Sequence, residues 1–362
     1  MALPTISFFR RLASPRGRFG SALLARRVVQ AGFALTTILI GVQFTRFVLA
    51  AQAGTTPLPT RPPGVEGFLP ISGLMGIRDW FLQGELNAIH PAASVLVILA
   101  IGMSWLLRKS FCSWICPVGL ISEVLSAIGR KVYGRNLRPW RWLDVGLRGL
   151  KYLLLGFFLW AVLTMHEVAL RAFLESPYNR VADVKMGLFF VRASTVTLVV
   201  MGLLVVGSTL WTGTWCRYLC PYGALLGLFS RLSPTTVVRN ANACIDCKGC
   251  DRICMAQLRI SEVDSVRSPE CTGCTDCVAA CPVNDCLQVK VARRPLRPVW
   301  IGVAVVVLFT GGVLLARSTG NWQNSITDAE YVQRVQNIDA PGYGHPGSTG
   351  MPARPHTASS DR

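Results

Sequence analysis

The chain has 362 residues, of which 51% are hydrophobic and only 15% are charged. This composition is too apolar for a soluble protein of the same length and indicates a membrane protein. The formal net charge is +18, but no Lys/Arg-rich arm with interleaved aromatic residues is present, so the charge does not indicate nucleic-acid binding.

Five apolar runs are long and apolar enough to span a bilayer core, which requires about 20 residues of helix. The runs are Val28–Ala50, Ala88–Leu107, Leu150–Met165, Ala193–Trp211 and Pro298–Ala316. Ala51-Gln52-Ala53 after the first run resembles a signal-peptidase site. The run itself is longer than the usual signal-peptide core of about 7–15 residues, so we expect a retained helix.

Basic residues are concentrated in alternate segments between these runs. Residues 1–27 carry six Lys or Arg and no acidic residue, 108–151 carry nine against two, and 212–297 carry eleven against seven. The intervening segments are nearly balanced. Because positive charge is retained on the cytoplasmic side, we expect the N-terminus and both basic loops to lie inside a bacterial inner membrane. The tail after the fifth run is then periplasmic.

An internal repeat follows the second and fourth runs. FCSWICPVGLISEVLSAI begins at residue 111 and WCRYLCPYGALLGLFSRL begins at residue 215. Each copy has two cysteines four positions apart, then Pro and, two residues later, Gly. A duplication is the simplest account of this agreement.

The repeat predicts a cluster of four thiols, called site 3 below. Residues i and i+4 share one face of a helix, so the two cysteines of each copy are expected to point together, before Pro kinks the chain. Such a site is suited to an iron–sulfur centre, Cu(I) or Zn, and the alternative is that the cysteines are small residues at helix contacts. The members of site 3 are Cys112, Cys116, Cys216 and Cys220.

The most specific signal is a pair of four-cysteine runs, CIDCKGCDRICM from residue 244 and CTGCTDCVAACP from residue 271. Each has the spacing Cys-x2-Cys-x2-Cys-x3-Cys that holds [4Fe–4S] clusters in bacterial ferredoxins, where the fourth cysteine binds the other cluster. Two zinc knuckles are the alternative. The pattern predicts two cluster sites. Site 1 consists of Cys244, Cys247, Cys250 and Cys281, and site 2 consists of Cys271, Cys274, Cys277 and Cys254.

Two details accompany these runs. Met255 stands where the ferredoxin pattern has a proline after the first run, whereas Pro282 follows the second run as expected. Cys286 lies outside both runs, and we expect it to be a plain thiol. All thirteen cysteines lie in segments predicted to be cytoplasmic, which argues against a disulfide framework.

Together these motifs resemble the NapH/MauN-type membrane-bound polyferredoxins, which are related to the membrane portions of NosR and CcoG. The resemblance covers about residues 28–316. It implies electron transfer between the quinone pool and a redox partner protein through cytoplasmic clusters. The chain has no Cys-x-x-Cys-His haem motif, no large N-terminal flavin-type domain as in the NosR class, and only a short tail where the CcoG class has an external domain. These departures favour a NapH-like protein.

Quinol oxidation requires a group that accepts protons at the membrane edge. His166 and Glu167 directly follow the third run, and His90 lies before Pro91 at the outer start of the second run, all near the predicted outer face. Ionisable groups within a membrane predict function, although an interfacial position explains them equally well. The apolar segment around Arg78-Asp79 is a further candidate for contact with quinone.

The tail contains Thr327-Asp328-Ala329-Glu330, a capping-box pattern, followed by apolar residues on one helical face. It predicts a short amphipathic helix that docks either on an external partner or on the membrane domain of its own chain. From Pro341 onward the composition predicts disorder.

The sequence therefore predicts a multi-pass α-helical membrane protein, with about five transmembrane helices and an inserted α+β two-cluster ferredoxin-like domain. Its predicted parts are a basic cytoplasmic N-terminus (1–27), a four-helix membrane domain (28–232), the ferredoxin-type domain (233–297), a fifth transmembrane helix (298–316) and an external tail (317–362).

The predicted function is electron transfer between the quinone pool and a redox partner through two [4Fe–4S] clusters, as a candidate quinol dehydrogenase component. The alternative is a factor that assembles a metalloenzyme or reduces copper, using the same clusters and binding Cu(I) at site 3. An external metal-binding motif would favour the alternative, and none is evident in the sequence.

Overall fold

The computed structural model of the protein describes residues 20–134, 137 and 139–344. The predictions for the basic N-terminus before residue 20 and for the disordered tail after residue 344 lie outside the described residues. The chain forms two compact units. Unit 1 contains Leu96–Ala161, Ser194–Ser318 and the first helix up to Leu39, and unit 2 contains Ile40–Val95, Val162–Ala193 and the tail from Thr319.

Helices account for most of the described chain. In chain order they are α1 Gly20–Ala53, α2 Pro70–Gln83, α3 Pro91–Leu107, α4 Ser110–Trp114, α5 Pro117–Tyr133, α6 Arg141–Thr164, α7 Glu167–Leu174, α8 Pro177–Arg180, α9 Ala182–Val191, α10 Thr195–Leu210, α11 Pro221–Ser230, α12 Gly249–Ile253, α13 Asp276–Ala279, α14 Pro298–Ser318 and α15 Asp328–Gln336. A π-helical turn spans Trp215–Leu219. The strands are β1 Thr235–Arg239, β2 Ser265–Val266, β3 Leu287–Val291 and β4 Arg294–Leu296.

Among the described residues, three helices are long and apolar enough to cross a membrane: α1, α6 (from Trp142) and α14. The number rises to four if α9 and α10, which are separated by a short break, count as one span. The predicted second run forms α3, which is apolar but has only 17 residues. Helices with an apolar outer surface satisfy every backbone hydrogen bond internally, as a bilayer requires, so the chain is a membrane protein.

The strands form one antiparallel sheet in the order β2-β1-β3-β4. Val237 of β1 lies opposite Val266 on one side and Val289 on the other. Alternate residues of a strand face the same side of the sheet, and these three valines are buried in the core of unit 1. In the chain, β1 precedes the two four-cysteine runs, β2 lies between them and β3 follows them.

The tail helix α15 belongs to unit 2, which confirms a helix at this position. Thr327 accepts a hydrogen bond from the Glu330 N–H at 3.3 Å, as the capping pattern predicts. Tyr331 is buried and packs edge-to-face on Phe47 at 5.0 Å between ring centroids. Of the two predicted fates, the helix therefore docks on its own chain.

Candidate functional site

The thiols of site 1 line one cavity, with about 370 Å³ of empty space when the part open to solvent is counted. Cys247 is exposed, and Ile245 beside it is 65% exposed. Site 1 thus lies at the surface of unit 1.

The thiols of site 2 line a second cavity, with about 400 Å³ of empty space counted in the same way. Cys277 is buried. Burial raises the pKa of its thiol well above the ordinary value, and the neighbouring thiols of site 2 raise it further. Four soft donors in so buried a place are stable as thiolates only with a cationic metal centre among them, and this chemistry fits an iron–sulfur cluster.

The two runs have the same backbone at equivalent positions. The residues directly before and after the second cysteine of each run have positive φ angles. They are Asp246 (50°) and Lys248 (53°) in the first run, and Gly273 (63°) and Thr275 (64°) in the second. Non-glycine residues rarely adopt this region, and where they do the strain is typical of functional sites. In each run the two turns direct successive cysteines into one cavity.

Each cavity collects three cysteines from one run and the fourth from the other run, which is the grouping that cross-ligation requires. Within the described ranges, no three His, Cys, Asp or Glu side chains converge closely enough to hold a single metal ion. Zinc binds each sulfur at about 2.3 Å, whereas a four-iron cube holds its ligands further apart. The grouping is compatible with two clusters, and both the choice of clusters over zinc knuckles and the individual ligand assignments stay predictions.

Site 3 differs from the prediction in its backbone. The cysteines of a pair are not on one continuous helix, because α4 ends at Trp114 and Cys116 is the N-cap of α5. Likewise, Cys216 lies in the π-helical turn and Cys220 caps α11, its Sγ accepting from the Gly223 N–H at 3.3 Å. Proline lacks an N–H and is tolerated in the first turn of a helix, so in both copies it starts a new helix instead of continuing the old one.

The two copies meet within unit 1. Phe111 and Tyr222 pack edge-to-face at 5.9 Å between ring centroids. Burial raises the pKa of the Cys112 thiol well above its usual range; nearby Lys109 lowers it, and the other three thiols of site 3 are close enough to raise it further. Burial likewise raises the pKa of Cys216 to about 12. All four thiols therefore share one environment, in which each cysteine is partly buried.

A buried ionic cluster lies between site 3 and site 2. Lys151 is fully buried, and its Nζ donates to both carboxylate oxygens of Glu270 at 2.6 Å. The Nζ of buried Lys109 lies 3.8 Å from the same carboxylate. The two lysines outweigh burial and hold the pKa of Glu270 below its usual range. Glu270 directly precedes Cys271 of site 2, and Lys109 lies three residues before Cys112 of site 3.

Direct hydrogen bonds also join the site 2 loop to the helix that bears Cys112. Ser113 Oγ donates to the Thr272 carbonyl at 2.7 Å, and Trp114 Nε1 donates to the Gly273 carbonyl at 3.2 Å. Trp114 is only 1% exposed, so its bond is formed in a dry environment where an unpaired indole N–H is costly. These contacts fix the site 2 loop against site 3.

A second connection to the site 2 loop comes from the first helix. Arg26 donates to Asp276 at 2.7 Å and to Glu123 of α5 at 2.6 Å, and all three side chains are buried. Sequence reasoning missed Arg26, Lys109, Lys151 and Glu270. The available signal was a charged residue inside, or next to, an otherwise apolar or cysteine-bearing segment.

The proposed quinone-edge residues have different environments in unit 2. His166 is exposed and caps α7, its Nδ1 accepting from the Val168 N–H at 3.4 Å, and Glu167 is also exposed. His90 is buried, with its Nδ1 3.3 Å from Glu66 and its Nε2 2.6 Å from the Asn179 carbonyl. Of the three, His90 is the one held by buried polar groups.

The other external candidates also belong to unit 2. Arg78 donates to the Val162 carbonyl. Asp79 is buried, with one carboxylate oxygen 3.7 Å from Arg171 Nε. Buried Arg61 pairs with Glu66 at 2.9 Å and with Asp183 at 2.7 Å, so the contact of His90 with Glu66 is part of a larger ionic network.

A protein family described as "4Fe-4S binding domain" matches the chain twice, over residues 89–136 and 193–238. These two matches coincide with the copies of the internal repeat and include the thiols of site 3. No solved structure matches the chain.

Several curated proteins are similar over half or more of the chain. YccM of Escherichia coli (strain K12), whose provisional name refers to electron transport, is 38% identical over 339 residues, or 91% of this chain and 94% of the relative. The ferredoxin-type protein NapH of the same organism is 24% identical over 72% of this chain and 86% of its own. The methylamine utilization ferredoxin-type protein MauN of Paracoccus denitrificans is 31% identical over 50% of this chain and 62% of its own. The chain belongs to the NapH/MauN-type family of ferredoxin-type membrane proteins.

Proposed function

We propose that the chain is a membrane-bound electron-transfer protein that passes electrons between the quinone pool and a redox partner. It holds two [4Fe–4S] clusters at sites 1 and 2, has five transmembrane helices, and has its N-terminus and cluster sites in the cytoplasm and its tail in the periplasm. The name of the similar protein YccM, which refers to electron transport, supports this role.

The observation that carries the proposal is the contact of the site 2 loop with the segment that bears Cys112. The backbone carbonyls of Thr272 and Gly273 accept hydrogen bonds from Ser113 and Trp114. When bound, an iron–sulfur cluster supplies one-electron redox chemistry. The hydrogen bonds keep site 2 next to the membrane helices, while site 1, with exposed Cys247, faces the redox partner.

Site 3 is proposed to hold a further iron–sulfur centre. Two buried lysines around one carboxylate leave an excess positive charge, and a buried charge without compensation is strongly destabilising. Four thiolates around a metal centre are anionic and supply this compensation. The match of both repeat copies to a family described as 4Fe–4S binding supports iron and sulfur over copper.

We also propose that His90 accepts a proton from quinol, with Glu66 as its partner at 3.3 Å. His166 and Glu167, which are exposed, are proposed to lie at the outer edge of the same region. His90→Asn is then expected to slow quinol oxidation, and His166→Asn, which keeps a polar helix cap, is its matched control.

The test begins with anaerobic purification of the full chain and measurement of iron and sulfide. Two clusters require about eight irons per chain, and occupied site 3 raises this number. A quinol analogue is then added and cluster reduction is followed by electron paramagnetic resonance (EPR). Cluster reduction by dithionite, but not by quinol, would refute the link to the quinone pool.

Two variants test the order of the sites. In Cys271→Ala, quinol is expected to stop reducing site 1, although dithionite still reduces it. In Cys247→Ala, quinol is expected to continue reducing site 2. Equal loss of quinol-driven reduction in both variants would contradict a path in which site 2 lies between the membrane and site 1.

A further inference from the structure

The cavity of site 1 contains a fifth thiol that neither four-cysteine run supplies. Cys286 lines this cavity together with the four thiols of site 1, and it is only 3% exposed. The lining of the site 2 cavity contains four cysteines and no fifth, and apolar Leu258 and Ile260 belong to its wall. The asymmetry distinguishes two sites whose cysteine runs are otherwise alike.

The position of Cys286 is fixed by the sheet. Its carbonyl accepts from the Asn240 N–H at 2.8 Å, and its Sγ lies 3.8 Å from the Asn240 carbonyl. The next residue, Leu287, pairs with Arg239 at the end of β1. Asp285, with φ of 61°, turns the chain so that Cys286 returns towards the cavity after Cys281.

Two thiols of site 1 are the immediate neighbours of Cys286. Burial, together with Cys281 and Cys244, which lie within hydrogen-bonding reach, raises the pKa of the Cys286 thiol to about 12. A protonated thiol has a single S–H, which can donate to the Asn240 carbonyl or to one of the two neighbouring sulfurs. A small movement of Cys286 also brings its sulfur to the cluster corner that Cys281 or Cys244 would bind.

We propose that Cys286 is a reserve ligand of site 1, able to bind iron in place of Cys281 or Cys244. The inference rests on the proposed cluster at site 1. In the exchange, the iron–sulfur bond of Cys281 breaks, that of Cys286 forms, and the Cys286 proton passes to the Cys281 sulfur. No electron is transferred, so the step needs no oxidant or reductant.

A reserve ligand suits site 1 more than site 2. Cys247 and Ile245 are exposed, so solvent and small oxidants reach this cluster, and oxidation follows exposure. The buried Cys286 lies on the inner side of the cavity. It can therefore supply a bond to iron when the bond between iron and Cys281 or Cys244 breaks.

The test compares Cys281→Ala, Cys244→Ala, Cys286→Ala and the double variant Cys281→Ala/Cys286→Ala, each purified anaerobically as the full chain. Cys254→Ala is the matched control, because the lining of site 2 has no fifth cysteine. Iron per chain and the EPR signals of three-iron and four-iron clusters are measured. Wild type must first show at least about eight irons, and more than this number if site 3 is occupied.

We expect Cys281→Ala and Cys244→Ala to retain a four-iron signal at site 1, with a shifted reduction potential. The double variant and Cys254→Ala are expected to lose iron from the affected site, and Cys286→Ala alone to keep wild-type iron. Iron loss in Cys281→Ala equal to that in Cys254→Ala would overturn the inference. So would loss of site 1 in Cys286→Ala, because Cys286 would then be a primary ligand. Absence of clusters from wild type would instead overturn the proposed function, and the inference with it.

Discussion

The two copies of the repeat predict opposite results for the same glycine-to-alanine substitution. A Cβ on Gly119 would lie 2.1 Å from the Cys112 carbonyl oxygen and 3.3 Å from its carbonyl carbon. At the equivalent Gly223, a Cβ would lie 3.6 Å from Cys220 Sγ and 3.7 Å from the Cys216 carbonyl oxygen, which are ordinary contacts. Gly119→Ala therefore displaces backbone next to site 3, and Gly223→Ala does not.

The size of the effect follows from these distances. The clash at Gly119 is with backbone, so no flexible side chain can yield, and insertion of a methyl group into a close-packed region costs about 1–3 kcal/mol. At Gly223 the added methyl group fits, and alanine is favoured over glycine in a helix by about 1 kcal/mol. The two variants should thus differ in free energy of unfolding by about 2–4 kcal/mol.

The comparison uses thermal unfolding in one detergent together with maleimide labelling of the site 3 thiols, quantified by mass spectrometry. Gly119→Ala is expected to unfold at a lower temperature and to label Cys112 and Cys116 faster than wild type. Gly223→Ala is expected to match or exceed wild-type stability, with unchanged labelling of Cys216 and Cys220. Equal effects of the two substitutions would refute the argument from close approach at Gly119.

Three other predictions concern charged side chains. Arg26→Met leaves two buried carboxylates without their partner and should lower the free energy of unfolding by about 3–5 kcal/mol. Arg27→Met, at a half-exposed position, should lower it by about 1 kcal/mol or less. Equal losses for the two variants in denaturant unfolding would contradict this prediction. Lys151→Met removes a positive charge beside Glu270, so a redox titration should give a lower midpoint potential for the site 2 cluster but not for the site 1 cluster. An equal shift at site 1 would count against this prediction. Two arginines hold the pKa of Glu330 below its ordinary 4.5, although burial alone would raise it. Docking of the tail helix, measured by hydrogen exchange, should therefore be complete above pH 4.5 and weaken as the pH falls through the lowered pKa. Glu330→Gln should abolish this pH dependence.

Local patterns predicted the parts of the site that depend on residues close in sequence. The spacing of each four-cysteine run anticipates which thiols share a cavity, and the repeat anticipates that Cys112 and Cys216 belong to one region. Pairings between distant residues carry no such signal: Lys151 and Glu270 are 119 positions apart. Periodicity also suggested one continuous helical face for each cysteine pair, but proline at the next position broke the helix and produced a cap.

Arg26 has a consequence for how the protein is made. It lies in α1, and its partner Asp276 follows 250 residues later. Glu123 is available much earlier, so during translation the arginine is held first by α5 and completes its contacts only when the site 2 loop has left the ribosome. Iron and sulfide delivered before that point would reach a site 2 loop whose ion pair with Arg26 has not yet formed. Insertion of the proposed cluster at site 2 is therefore expected only after Asp276 has been synthesised and has paired with Arg26.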